Sequence, residues 1–453
     1  MQKNLIKALA GLCLTGLVSI AASATPAKVS IVKGEQGYGV LVNGQPYQVK
    51  GAGVSFTDGS NYQALAEAGG NTFRTWSTDN ADIALAAAEK HGLMVLMGID
   101  LQKQLHGFDY NDEAAVKKQF EWAKAQVLKY KDHPNLLGWI VANEPNLLFN
   151  DDGSLAMVNP KAYQAIAELV DFIHEVDPNH PVTFSFAGVN PDHVKAAMEH
   201  ASNMDFISVQ VYGDLANVGE QYAALGVDKP FMVTEFGPLG HWEVPTTSWG
   251  REIEEPSGIK AATFAQRLDT GLTQDKSGLN IGHFAFLWGQ KQERTPTWYG
   301  MFNQDGSANA RVDEMTRFWT GSYPKNRAPL AYEILIQGKP ASDSLELDAG
   351  KTVEMTLVYG EPEDDKTEYQ WRLLKEVDVR SQGGAFEKEP EAVPLDVKLV
   401  SSEQINSREW GQVRRVTVNF SVPAQTGDYR VFSYIYDGKG KVGNANFPFM
   451  VVK

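Results

Sequence analysis

Eight short apolar runs, each followed by a segment of helical period, occupy residues 49 to 320 of this chain. The runs Val49–Phe56, Asn71–Ser77, Leu93–Asp100, Leu136–Asn146, Val182–Gly188, Phe206–Tyr212, Pro230–Gly237 and Ile281–Gly289 read as strands. Between and after them, Tyr62–Ala68, Ala81–His91, Glu113–Lys131, Pro160–Val176, Pro191–Ala201, Gln221–Leu225, Gly258–Thr273 and Ala310–Thr320 read as helices. Near-continuous Val, Leu, Ile and Phe is the pattern of strands buried on both faces. Eight strand–helix pairs over about 270 residues match the count and size of a (β/α)8 TIM barrel, an α/β fold. An open doubly wound sheet would want a glycine-rich turn after its first strand, whereas Gly51-Ala52-Gly53 lies inside the strand.

The pattern changes at Tyr323-Pro324-Lys325-Asn326-Arg327-Ala328-Pro329, a polar stretch with two prolines that reads as a linker. Beyond it come short strands such as Thr352–Val358, Tyr369–Leu374, Val413–Val422 and Tyr429–Tyr436, with a hairpin signal at Asp437-Gly438-Lys439-Gly440. Residues 326–453 are therefore expected to form an all-β, immunoglobulin-like sandwich without a disulfide. The barrel domain is expected over 25–325, with a β-hairpin from Val29–Lys33 and Gly39–Val42 closing its N-terminal end. Residues 1–24 carry Lys3 and Lys7, then an apolar stretch from Ala8 to Ile20, then Ala22-Ser23-Ala24. This reads as a secretory signal peptide cleaved near Ala24, so a secreted or periplasmic protein is expected. The single cysteine, Cys13, falls within that segment, which leaves no thiol nucleophile in the mature chain.

In a barrel, chemistry gathers at the C-terminal strand ends. The fourth strand ends Ala142-Asn143-Glu144-Pro145, and the seventh ends Thr234-Glu235-Phe236-Gly237. A carboxylate closing an apolar strand is costly to bury without a partner. Alone, either glutamate could cap a helix or pair with a cation. Together, on strands that face each other across one mouth, they suit glycosidic cleavage with retention, where carboxyl groups about 5–5.5 Å apart act as acid/base and nucleophile.

Asn143-Glu144-Pro145 and Glu235 resemble glycoside hydrolase clan A, the retaining (β/α)8 glycosidases. Val49-Lys50-Gly51-Ala52-Gly53 and Arg74-Thr75-Trp76 resemble the family 2 type of barrel, here without the large N-terminal sandwich domains of that family. The resemblance covers about residues 45–320 and implies Glu144 as acid/base and Glu235 as nucleophile. It further implies Asn143 on the sugar 2-hydroxyl, Arg74 as a permanent cation beside the nucleophile, Tyr212 bonded to that nucleophile, and Trp288 as the floor of the −1 subsite.

Around these residues the loops carry Trp76, Trp242, Trp298 and Gln290, with Gln102, Gln104, His106, Tyr110, His241, Trp249, Glu293 and Arg294 nearby. Aromatic faces meet sugar C–H faces, and amides meet hydroxyls, so this lining suits an oligo- or polysaccharide; packing over the barrel rim is the alternative. The formal net charge of −15 argues against nucleic acid, an anionic membrane surface and polyanionic substrates. A neutral β-linked saccharide, a β-glucan first, is expected as substrate, with no cofactor and no catalytic metal. The acidic run Glu361-Pro362-Glu363-Asp364-Asp365 reads as a solvated loop, with calcium as the alternative. Two other functions stay open: a transglycosylase using the same glutamates, and a non-catalytic carbohydrate-binding or envelope protein on a barrel scaffold.

Overall fold

The computed structural model describes residues 25–54 and 61–453. The expected signal peptide, and the end of the first apolar run, lie outside the described residues. Eight parallel strands close into a barrel: β4 (Val49–Gly53), β5 (Thr72–Arg74), β6 (Met94–Ile99), β7 (Leu136–Asn143), β8 (Val182–Ala187), β9 (Ile207–Gln210), β10 (Phe231–Phe236) and β11 (Asn280–Ala285). They pair in chain order, and β11 returns to β4. Most strands are shorter than their apolar runs, because the runs continue into the turns that build the mouth.

Helices α1 (Tyr62–Glu67), α2 (Ala81–His91), α3 (Glu113–Tyr130), α4 (Pro160–Val176), α5 (Pro191–His200), α6 (Val218–Ala224), α7 (Ser257–Leu268) and α8 (Ala310–Thr320) follow the strands. Five of these helices, α1, α3, α4, α5 and α8, start at a side-chain cap. Asp112 accepts from the backbone N–H groups of Ala114 and Ala115, and Asn159 accepts from Lys161 just ahead of Pro160 in α4. Helix α4 buries Ala162, Tyr163, Ile166, Leu169, Val170 and Ile173, a stripe at helical spacing against the barrel.

Below the barrel, the expected hairpin is a three-stranded sheet of β1 (Val29–Gly34), β2 (Gly37–Val42) and β3 (Gln45–Tyr47). Its Val29 and Val40 join Met94, Leu137, Phe206 and Ile281 in one apolar cluster that plugs the N-terminal end. The third strand extends the hairpin because Asn43 and Gly44 adopt positive φ and turn the chain straight back.

The C-terminal segment forms two sheets. One holds β12 (Leu330–Ile336), β14 (Thr352–Gly360), β18 (Gly411–Ser421) and β17 (Val397–Ser407). The other holds β13 (Glu346–Asp348), β20 (Val442–Val452), β19 (Gly427–Tyr436), β15 (Glu368–Lys375) and β16 (Ala392–Val393). Their facing side chains make one core, with Met355, Leu357 and Val416 from the first sheet and Val431, Ile435 and Phe447 from the second.

The stretch 323–329 is not a free linker. Ala328 is fully buried against Ala261 and Ala310, and its N–H donates to Asp313. Deeper in the junction, the Glu254 carboxylate accepts from Lys260 at 2.5 Å, from Thr295 at 2.5 Å, and from Asn446 of the sandwich at 2.6 Å. Arg430 of β19 donates to the Glu252 carbonyl at 2.8 Å. Barrel and sandwich are thus fastened by buried polar bonds as well as apolar packing.

Candidate active site

Both glutamates sit beside irregularities in strand pairing. Along β7 and β8, Ile140 pairs with Thr183 but Asn143 pairs with Ser185, so β7 carries an extra residue. Ala142 and Glu144 take φ of 74° and 51°, in the region that L side chains rarely occupy. Along β10 and β9, Val233 pairs with Val209 and Glu235 with Gln210, again one residue too many on the glutamate strand. Such bulges re-aim side chains, and here they turn both glutamates toward the mouth.

Glu235 is 5% exposed and meets three donors. The Trp76 indole N–H donates to Oε1 at 2.7 Å, Arg74 Nη1 reaches the same oxygen at 3.3 Å, and the Tyr212 hydroxyl donates to Oε2 at 3.1 Å. A guanidinium and an indole can only donate, so the Glu235 oxygens must accept, which the ionised carboxylate does best. Arg74 itself is fully buried and extends Nη2 to the Asn143 carbonyl oxygen at 3.0 Å. That oxygen also accepts from Gln210 at 2.6 Å and Ser185 at 3.2 Å. With its oxygen so occupied, Asn143 has its amide N–H groups left as the donors it could offer a hydroxyl.

Glu144 is held differently. Its backbone N–H bonds Ser185, and its carboxylate lies 3.7 Å from Lys103 Nζ. Burial pushes the Glu144 carboxyl up to about 7; Lys103 and Arg74 pull it down, and Glu235 and Glu293 push it further up. One carboxyl is therefore locked among donors while the other holds its proton near neutrality.

The aromatic wall is Phe286, Tyr299, Tyr212 and Trp76, with Phe286 edge-on to Trp76 at 5.6 Å and Tyr299 edge-on to Tyr212 at 5.8 Å. Trp242 is 60% exposed and meets Tyr212 at 5.4 Å, placing it at the outer rim. Gln290 is half-buried just after β11. Two expected lining residues are buried: Trp288 in the barrel core, and Trp298 in one apolar cluster with Tyr212, Phe286, Tyr299 and Trp76, behind the wall. Trp288, expected as the floor of the site, is in the barrel core: it is fully buried, packs on Phe302 and Trp319, and donates to the Asn61 carbonyl at 2.9 Å. The turn after β11 directs Phe286, two residues earlier, toward Trp76 instead. Trp298 is 1% exposed and donates to the Leu239 carbonyl, so it buttresses the loop after β10 from beneath.

Lys103, Ser185, Gln210, Phe286 and Tyr299 join the site without a motif to mark them. Position was the signal for Gln210 and Phe286, at or next to a strand end, and for Lys103, four residues past one; Ser185 lies within β8 and Tyr299 in the long loop after β11. In the sandwich, Glu361, Glu363 and Asp365 bring carboxylate oxygens within 4.8 Å of one another. Glu361 accepts from the backbone N–H groups of Glu363 and Asp365, while Lys439 pairs with Asp365, as in a solvated acidic turn.

Residues 61–241 match the family model "Glycosyl hydrolases family 2, TIM barrel domain". The chain is 33% identical over 108 residues to a protein named probable mannan endo-1,4-beta-mannosidase C from Aspergillus terreus, covering 22% of this chain and 25% of that protein. It is 26% identical over 255 residues to a beta-glucuronidase from Streptococcus agalactiae, covering 46% of this chain and 40% of that protein. The fold is shared with a calcium-binding mutant of Bacteroides uniformis beta-glucuronidase 2, at TM-score 0.50 and 15% identity over 94% of this chain and 48% of that one. The chain thus spans less than half the length of these relatives.

Proposed function

We propose that the protein is a retaining β-glycosidase acting on a neutral β-linked saccharide, with β-glucans as the first candidates. The observation that carries this is the contrast between two carboxyl groups across one mouth. Glu235 is clamped by Arg74, Trp76 and Tyr212, while the Glu144 carboxyl is pushed up to about 7 by burial. Glu235 attacks the anomeric carbon as Glu144 gives its proton to the leaving oxygen, which breaks the glycosidic bond and leaves a glycosyl ester on Glu235. Glu144, now ionised, takes a proton from water as that water attacks the anomeric carbon, which breaks the bond to the Glu235 oxygen, frees the sugar and restores both groups. Asn143 holds a hydroxyl of the sugar as charge develops at the neighbouring carbon.

A neutral substrate is favoured by the pairing of the cations at the mouth. Among the described residues, Lys291 faces Glu293 and Arg294 faces Glu252 and Glu387, so these cations are already paired and not free for a substrate carboxylate. The relatives are named for mannan and glucuronide chemistry, so mannans and glucuronides belong in the same test. On the strength of residues 1–24, we further place the protein outside the cytoplasm; the mature N-terminus should then read Thr25.

The test is a product screen of the purified protein, with Glu235→Gln as control, on β-1,2-, 1,3-, 1,4- and 1,6-glucans, β-mannan, β-galactan, xylan and aryl β-glycosides. Reducing ends released by the wild type and not by the variant establish hydrolysis and name the linkage. Longer oligosaccharides without new reducing ends would replace hydrolysis by transglycosylation, and silence across the panel would overturn both.

A further inference from the structure

The segment from Glu376 to Glu391, between β15 and β16 of the sandwich, leaves its own domain and reaches the barrel mouth. On one side, the Gly383 carbonyl accepts from Lys103 Nζ at 2.9 Å, and the Gln382 carbonyl lies 3.4 Å from His106 Nε2. Lys103 and His106 follow the third barrel strand. Gly383 is also seated so closely over Leu105 and Leu147 that an added Cβ would stand 2.6 and 3.3 Å from them. Its φ of +59° adds a second reason for glycine there.

On the other side, the Glu387 carboxylate accepts from the Arg294 backbone N–H at 2.6 Å and from Arg294 Nη1 at 3.0 Å. Arg380 pairs with Glu252 at 3.3 Å. Glu252 and Arg294 follow the seventh and eighth barrel strands. In a closed barrel of eight, strands three and four stand opposite strands seven and eight. From Gly383 to Glu387 the chain can reach at most about 14 Å, so this short stretch must cross the mouth. Its anchors are buried: Lys103, Arg294 and Glu387 are 7%, 6% and 4% exposed.

We infer that this sandwich segment is a fixed bar across the substrate groove, which restricts the site to chain ends. The inference rests on the glycosidase reading above. A polysaccharide cut internally must lie in a groove open at both sides of the scissile bond. A bar fastened on both banks leaves either a pocket or a tunnel, and each admits a glycan only from an end.

The test uses whichever neutral polysaccharide the product screen identifies. The wild type should release one small product from the first time points, with viscosity falling slowly as reducing ends accumulate, and it should spare a polymer whose chain ends are chemically capped. Replacement of 378–386 by a short Gly-Ser link should raise internal cleavage, read as viscosity loss per reducing end, by an order of magnitude. If that variant does not fold, Glu387→Gln, which keeps the anchor's shape and removes its charge, should move the same ratio in the same direction. Early random oligosaccharides or cutting of the capped polymer by the wild type would overturn the inference. So would a folded variant with an unchanged product pattern. Aryl β-glycoside hydrolysis separates this failure from failure of the glycosidase reading, because small substrates need no open groove.

Discussion

The indole N–H of Trp76 donates to Glu235 at 2.7 Å, a shorter contact than the 3.3 Å from the Arg74 guanidinium to the same oxygen. Trp76, expected from sequence as part of the aromatic lining, thus touches Glu235, the proposed nucleophile. Its ring has room because residue 53 is glycine: an added Cβ would lie 2.5 Å from the indole. A hydrogen bond to a charged group contributes about 1.5–3 kcal/mol, which corresponds to roughly 10–100-fold in rate. Trp76→Phe should lower kcat/KM on an aryl glycoside by that amount, and Gly53→Ala should do the same by displacing the ring. Unchanged kinetics in folded variants would remove Trp76 from the catalytic set.

The proton on Glu144 sets the pH dependence. Burial pushes this carboxyl from an ordinary 4.5 to about 7, so kcat/KM should fall as pH rises through about 7, where the acid is lost. The same shift bears on stability. The folded state holds the proton more tightly than the unfolded state, so stability is greatest below about 4.5 and declines as pH rises through about 7. Glu144→Gln removes that decline. Its stability relative to wild type should improve by on the order of 1–3 kcal/mol between pH 4 and pH 8, as read by urea melts. Parallel pH curves for the two proteins would contradict the shift.

Lys103 opposes that shift from 3.7 Å. Lys103→Met should move the basic limb of the kcat/KM profile to higher pH, since the cation that favours the Glu144 carboxylate is gone. A purely structural lysine would change the height of the profile and leave its midpoint in place.

At the domain junction, Glu254 and Lys260 form an ion pair with side chains 1% and 3% exposed. Burial works against the charge on Glu254, but Lys260, Thr295 and Arg430 outweigh it and hold the carboxyl below its ordinary value. This stabilisation is present at neutral pH and is lost as pH falls through that lowered value. Glu254→Ala strands the lysine and should cost about 3–5 kcal/mol, seen as a lower Tm at pH 7. A Tm within a degree of wild type would mean that the junction does not depend on the pair.

Much of this was legible in the chain itself. Helices α4 and α8 run over the residues that periodicity assigns, 160–176 and 310–320, because Asn159 and Asn309 cap them and apolar stripes fix their faces. The glutamates were legible because burying a carboxyl at an apolar strand end demands a partner. Lys103 was not, since its partner Gly383 is 280 residues away in a domain with its own pattern. Nor was the exchange of Trp288 for Phe286. Strand β11 ends at Ala285, and the face that each later side chain takes depends on turn dihedrals that hydrophobic pattern does not encode.

The most direct test of the central claim is mass spectrometry of the enzyme quenched after incubation with a 2-deoxy-2-fluoro β-glycoside of the accepted sugar bearing a good leaving group. Fluorine slows release of the intermediate more than it slows its formation, so a covalent glycosyl-enzyme should accumulate. The account expects one added sugar on the peptide that contains Glu235, and none in Glu235→Gln. Turnover with no adduct, or an adduct on another residue, would contradict it.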